Sequence, residues 1–263
     1  MSGVIGVLRG GALQGFAELR ATYTWRTWTG GWLLRVLSQV MFFALLGRLL
    51  RSAERTQYLA VGNAVALVSI EAAFVIRSMC SERAQGTLPL ILASPGSPMP
   101  VYLGRGAHWL CTGFLSSAIT LAAVPWLLGV PLRPDRLLTV LPMLPVIGLS
   151  TYCYGTFMGA LALRSPRWQW LVMNVAYLSL LTLSGVNVPL TYWPVPLRVL
   201  AQVLPLSHGL SAVRTALHGG PTTAVLGGLG LEVLVGAGWL ALAAASGKRL
   251  ISRGRVNGSV DFG

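Results

Sequence analysis

Residues 58–80 read YLAVGNAVALVSIEAAFVIRSMC. This stretch is long and apolar enough to cross ~30 Å of hydrocarbon as one α-helix. Five more apolar segments of similar length lie near 31–50, 107–130, 137–163, 168–186 and 223–246. Two shorter ones, 188–203 and 205–218, are interrupted by Pro189, Pro194, Pro196 and Pro205. They are too short to span and too apolar for an ordinary loop, so re-entrant or interfacial half-helices fit them. The expected fold is an all-α polytopic membrane protein in one domain over residues 1–263. It has six transmembrane helices, an N-terminal interfacial helix and outer re-entrant half-helices over 187–218.

Composition agrees. Hydrophobic residues make up 54% and charged residues only 10%, against ~25% in an ordinary globular chain. So few charges cannot cover a water-exposed surface, and mean hydropathy of +0.67 excludes disorder. The net charge is +13, and 19 of the 20 basic residues are Arg. They stand singly between apolar runs, which reads as membrane flanks and not as a nucleic-acid surface. With the N-terminus inside, twelve basic residues lie on the inner side and seven on the outer. The outer seven are Arg48, Arg51, Arg55, Arg133, Arg136, Arg198 and Arg214. That balance favours both termini in the cytoplasm and a multi-pass protein of the cell membrane. Residues 16–29 mix Glu18, Arg20 and Arg26 with Phe16, Leu19, Tyr23, Trp25 and Trp28, and are expected to lie in the inner interface. Trp25, Trp28 and Trp32 are expected at headgroup depth. Val4–Leu8 is a short apolar stretch with no basic residue before it, so no signal peptide is expected.

Several chemistries lack their residues. Lys248 is the only lysine, and its neighbours do not form a phosphate-binding P-loop. There is no HExxH, GxSxG or CxxC, and His108, His208 and His218 lie in separate segments with no metal spacing. Cys80, Cys111 and Cys153 sit in or beside apolar stretches. No catalytic residue and no metal site are expected.

The segment after residue 80 reads SERAQGTLPLILASPGS, residues 81–97. Leu88, Ile91 and Leu92 share one helical face, bounded by a Pro-Gly stop. Such a short amphipathic helix suits a partner's groove, or else packs on headgroups. Glu82, Gly86-Thr87-Leu88 and Pro95 resemble the loop signature of type-2 permeases of ATP-binding-cassette transporters. A second match follows the fifth span: Val188-Pro189, Trp193-Pro194-Val195-Pro196, then Leu204-Pro205-Leu206-Ser207-His208 and Arg214. One departure is Pro89, where the family usually carries an acidic residue. Proline is tolerated only in a first helical turn.

The resemblance implies a permease subunit of an exporter, with drug, antibiotic or lipid exporters the nearest in layout. ATP and magnesium would bind a separate ATPase subunit. A second permease, identical or paralogous, would complete the transporter within membrane lipids. The coupling loop would be 81–101, with Glu82, Arg83, Gly86, Thr87, Leu88, Leu90 and Ile91 meeting the ATPase.

Glu71 and Glu232 are acids near the middle of the second and sixth spans, and Arg35 either snorkels to the inner surface or pairs with Glu71. Glu232 has no evident partner and could face the bundle interior or a cationic substrate. Trp170, Asn174, Tyr177, Leu181 and Ser184 fall on one face of the fifth span, and Asn63, Leu67, Ile70, Phe74 and Arg77 on one stripe of the second. In exporters of the resembled fold these spans line the central cavity, so Asn63, Ile70, Phe74, Trp170, Asn174, Tyr177 and Ser184 are the expected substrate pathway, with helix packing as the alternative. Gly148, Thr151, Gly155 and Gly159 form a small-residue stripe for close helix contact. A proton-coupled secondary transporter using Glu71 or Glu232 is the competing reading. An intramembrane enzyme using His108 or His208 with Glu71 is a third, for which no motif is present.

Overall fold

The computed structural model describes residues 2–87, 99–129, 132–163 and 166–257. Among these residues the chain is helical, with no strand. Helix α1 (Ser2–Thr22) is followed by α2 (Trp25–Leu49), α3 (Ala53–Ala72), α4 (Val75–Ala84), α5 (Met99–Arg105) and α6 (His108–Leu127). Then come α7 (Pro134–Val140), α8 (Met143–Ala162) and α9 (Pro166–Leu183), and a 3-10 turn at Leu190–Tyr192. The chain continues through α10 (Val195–Val203), α11 (Ser207–Leu217) and the long α12 (Thr222–Asn257).

Among the described residues, five stretches are long and apolar enough to cross a bilayer: Trp25–Leu49, Ala53–Arg83, Met99–Leu127, Pro134–Ala162 and Thr222–Gly247. The sixth expected span, 168–186, does form a helix, α9, of 18 residues. Its first turn reads Pro-Arg-Trp-Gln-Trp and its centre carries Asn174, so it is less apolar than the other five.

The N-terminal boundary differs from the expected interfacial helix at 16–29. Thr24 starts a new helix with reciprocal caps: its hydroxyl accepts from the Thr27 amide (3.3 Å), and the Thr27 hydroxyl accepts from the Thr24 amide (2.9 Å). The chain before this break is α1, and Trp25–Thr29 belongs to the first span. The Trp28–Leu33 stretch of α2, which contains Gly30 and Gly31, is wound as a π-helix.

Helix α3 is the hub. Of its span's most apolar window 83% is buried, against 22% for the Trp25–Leu49 span and 17% for α12, so α3 is internal while the other two present apolar faces outward. It packs against α2, α6 and α8. The stripe on α8 makes the close contact that small residues permit. A Cβ at Gly148 would meet Val68, one at Gly155 would meet Val75, and the Thr151 hydroxyl donates to Ser69 Oγ (3.0 Å). Phe42 and Leu49 on α2, Trp168 and Trp170 on α9, and Leu226 and Leu234 on α12 are exposed, as lipid- or subunit-facing residues must be.

Candidate functional site

Three polar constellations interrupt the apolar packing, and two of them mark opposite ends of the bundle. At the first end, Glu82 is 1% exposed on the last turn of α4. Its carboxylate pairs with Arg105 at the end of α5 and accepts from the Thr87 hydroxyl. The Thr87 amide returns to the Glu82 carbonyl (3.0 Å), across Gly86 with φ of 70°. The second guanidinium nitrogen of Arg105 donates to Gln85 Oε1 (3.1 Å) and reaches Glu18 of α1 (3.4 Å). Arg83 donates to the Leu163 carbonyl at the end of α8 (2.9 Å). Helix α1 crosses α5 closely at Gly11 and Gly104, where a Cβ on Gly104 would collide with the Leu8 carbonyl. One buried cation therefore ties the start of the 88–98 segment to α1, α4 and α5.

At the other end, Arg214 ties α11 to two other chain segments. It donates to the carbonyls of Gly185 (2.8 Å), Val186 (3.2 Å) and Tyr58 (3.3 Å), and its guanidinium lies 3.5 Å from the Tyr58 ring centre. Tyr58 donates its hydroxyl to Gly185 (2.6 Å), and the Asn63 amide donates to Asn187 (2.8 Å). Beneath this clamp Glu232 of α12 is fully buried and accepts from the amides of Leu206 and Gly209, both at 2.8 Å. A carboxylate from one helix so caps the first turn of another. Leu206 enters that turn at φ of 77°, a conformation that costs an L-residue energy. A small cleft beside the clamp is lined by Glu54, Gln57, Tyr58, Val61, Arg214, Leu217 and His218.

Between the ends, Glu71 is also fully buried. Oε1 accepts from Trp32 Nε1 (3.1 Å), Oε2 makes no hydrogen bond, and the side chains of Ser116 and Thr112 face the carboxyl. Arg35 does not pair with it. Arg35 is exposed and lies over the Trp32 ring at 5.1 Å, the arrangement expected of a snorkelling side chain. The headgroup reading of Trp32 is corrected by the same bond: the indole turns inward. Trp28 is buried as well, and Trp25 is 75% exposed.

The description "ABC-2 type transporter" matches residues 20–218, from the end of α1 through α11. The chain belongs to the ABC-2 type transporter family. It is 24% identical over 154 residues to the probable multidrug ABC transporter permease YbhR of Escherichia coli K12, and equally to that of strain O157:H7. The match covers 58% of this chain and 41% of each relative, so the chain spans well under half the length of the curated relatives it matches. No solved structure matches it.

This ABC-2 chain is a transmembrane transporter component, and its predicted residues separate into distinct settings. Glu82, Arg83, Gly86 and Thr87 gather at the α4 terminus, while Leu88, Leu90 and Ile91 lie outside the described residues. The stripe of the second span runs from interior to surface: Asn63 and Leu67 are 2% and 1% exposed, Ile70 and Phe74 are half-buried, and Arg77 on α4 is exposed. The α9 stripe runs from exposed Trp170 (74%) through half-buried Asn174 and Tyr177 to buried Ser184, which donates to the Pro205 carbonyl (3.2 Å). Tyr177 meets Gln39 of α2 (3.4 Å). Glu232, without an evident partner in the sequence, is a helix cap. The contacts of Arg105 with Glu18 and Gln85, and of Tyr58 with Arg214, escaped the sequence reading because the partners lie far apart in the chain.

Proposed function

We propose that the chain is the permease subunit of an ATP-driven exporter that couples to a separate ATPase through the loop 81–101. The observation that carries this reading is the buried Glu82–Arg105 pair. It fixes the root of the 88–98 segment to α1, α4 and α5, so a push on that segment moves helices and does not dissipate in a loop. An apolar or amphipathic small molecule is the expected cargo, given the "multidrug" name of the relatives and the aromatic faces of α2 and α9. A second permease would meet these exposed faces. Glu232 is committed to the cap of α11, which leaves the proton-coupled alternative with Glu71 alone.

Helix α9 is proposed as the sixth span. It starts just past Leu163, whose carbonyl holds Arg83, and ends at Gly185, whose carbonyl holds Tyr58 and Arg214. Tyr58 and Arg83 lie at opposite ends of the α3–α4 span. At ~1.5 Å per residue its 18 residues cover ~27 Å, about one hydrocarbon thickness.

The test is co-purification from gentle detergent, followed by reconstitution. A stoichiometric P-loop ATPase and ATP-dependent efflux support the proposal. Efflux that follows a proton gradient without ATP overturns it.

A further inference from the structure

Seven arginines occupy the end of the bundle that carries the Arg214 clamp, and the chain itself engages four of them. Arg214 holds three carbonyls, Arg136 donates to the Leu217 carbonyl, Arg133 pairs with Asp135 (3.3 Å) and Arg198 donates to the carbonyls of Thr191 and Trp193. The remaining three, Arg48, Arg51 and Arg55, lie on the last turn of α2, the connecting turn and the first turn of α3. All three are exposed, and none of their guanidinium groups has a hydrogen bond or ion pair among the described residues. The neighbouring acid, Glu54, is exposed and lines the cleft beside Arg214.

Two more features separate this turn from a solvated loop. Leu49 and Leu50 are 77% and 56% exposed, so the turn carries bare apolar side chains beside its charges. Water would disfavour that surface, whereas the boundary between acyl chains and headgroups satisfies both halves. Arg51 also adopts φ of 53°, a left-handed conformation that glycine or asparagine takes at lower cost. The turn is fixed in place, because a Cβ on Gly47 would come within 2.5 Å of Thr56 Cα.

We propose that the α2–α3 turn is a binding site for the phosphate of an anionic phospholipid, held by Arg48, Arg51 and Arg55 with Leu49 and Leu50 set into the acyl region. Guanidinium groups offer paired donors to phosphate oxygens, and three on one turn can surround a single headgroup. The exposed leucines select a lipid phosphate over a dissolved one. The site is separate from the loop around Glu82, and its test does not depend on ATP coupling.

The full chain is placed in phosphatidylcholine nanodiscs, phosphatidylglycerol is titrated in, and the thermal midpoint is followed. Phosphatidylglycerol should raise the midpoint. Each Arg→Gln change among the three should weaken its apparent affinity about fivefold, the weight of one basic side chain near an anionic membrane surface. The triple variant should lose the response while melting normally in pure phosphatidylcholine. Arg51→Gly offers a variant whose backbone suits the turn, and it should lose affinity like Arg51→Gln. Arg133→Gln with Arg198→Gln should leave the response intact. The proposal is overturned if the triple variant still responds, if the Arg133 and Arg198 pair matters as much, or if inorganic phosphate in pure phosphatidylcholine reproduces the shift.

Discussion

Glu232 illustrates how a residue's role follows from what its oxygens touch. Two buried amides, of Leu206 and Gly209, end on its carboxylate. Glu232→Ala would leave both without acceptors, at about 1–3 kcal/mol each, and should lower the melting midpoint sharply. Glu232→Gln keeps one acceptor oxygen and should fall between wild type and Ala; thermal melting in nanodiscs ranks the three. Leu206→Gly tests the left-handed entry to the same turn. Relief of the positive φ gains about 1–2 kcal/mol, but Leu206 is fully buried and losing its side chain costs about 2–5 kcal/mol. The core term wins, so this variant should be less stable than wild type in the same assay. None of this was legible in the sequence. A carboxylate that binds backbone amides has a partner with no residue identity, and Arg105 looked like any charge flanking a span.

At the scale of elements, apolar length located the helices well and their interruptions less well. Pro205 marked the break between α10 and α11, because proline withholds an amide and fixes its φ. The break between α1 and α2 had a quieter signal, Thr24 and Thr27 at capping-box spacing, and aromatic residues on both sides hid it. The interruption between Ala72 and Val75 has neither Pro nor Gly, and it lies where both helices pack against α8, with Ala73 and Val75 close to Gly155. The α1–α5 crossing supplies the prediction for this scale. Gly104→Val would drive a side chain into the Leu8 carbonyl and should pry α1 from α5. The expected result is new protease cleavage near Tyr23–Thr24 with the remaining helices protected. Unchanged protection would mean that α1 is held by other contacts. Glu18→Gln, which removes the Glu18–Arg105 pair without a clash, should give a smaller increase in cleavage at the same place.

For the whole molecule the open question is whether coupling enters at one end and release occurs at the other. Helices α3 and α4 connect the two ends through the most buried of the five candidate spans among the described residues. Glu82 and Arg105 grip one end, and Tyr58 and Arg214 grip the other. Removing Glu82 should therefore separate hydrolysis from transport. In a reconstituted transporter, Glu82→Ala should cut efflux at least about tenfold while ATP turnover continues, since breaking a buried pair costs about 3–5 kcal/mol at the loop root. Normal efflux would sink the coupling role. The arrangement also predicts where the ends lie across the membrane. If α9 crosses, the number of spans is even and both termini share the side of Arg77. In a Cys111→Ser background, Arg51→Cys and His218→Cys should react with an impermeant maleimide in intact cells. Arg77→Cys and a C-terminal tag should become accessible only after lysis. A tag reached from outside while Arg77→Cys stays protected would leave α9 in one leaflet. The Arg83–Leu163 and Tyr58–Gly185 contacts, at opposite ends of one helix, argue against that outcome.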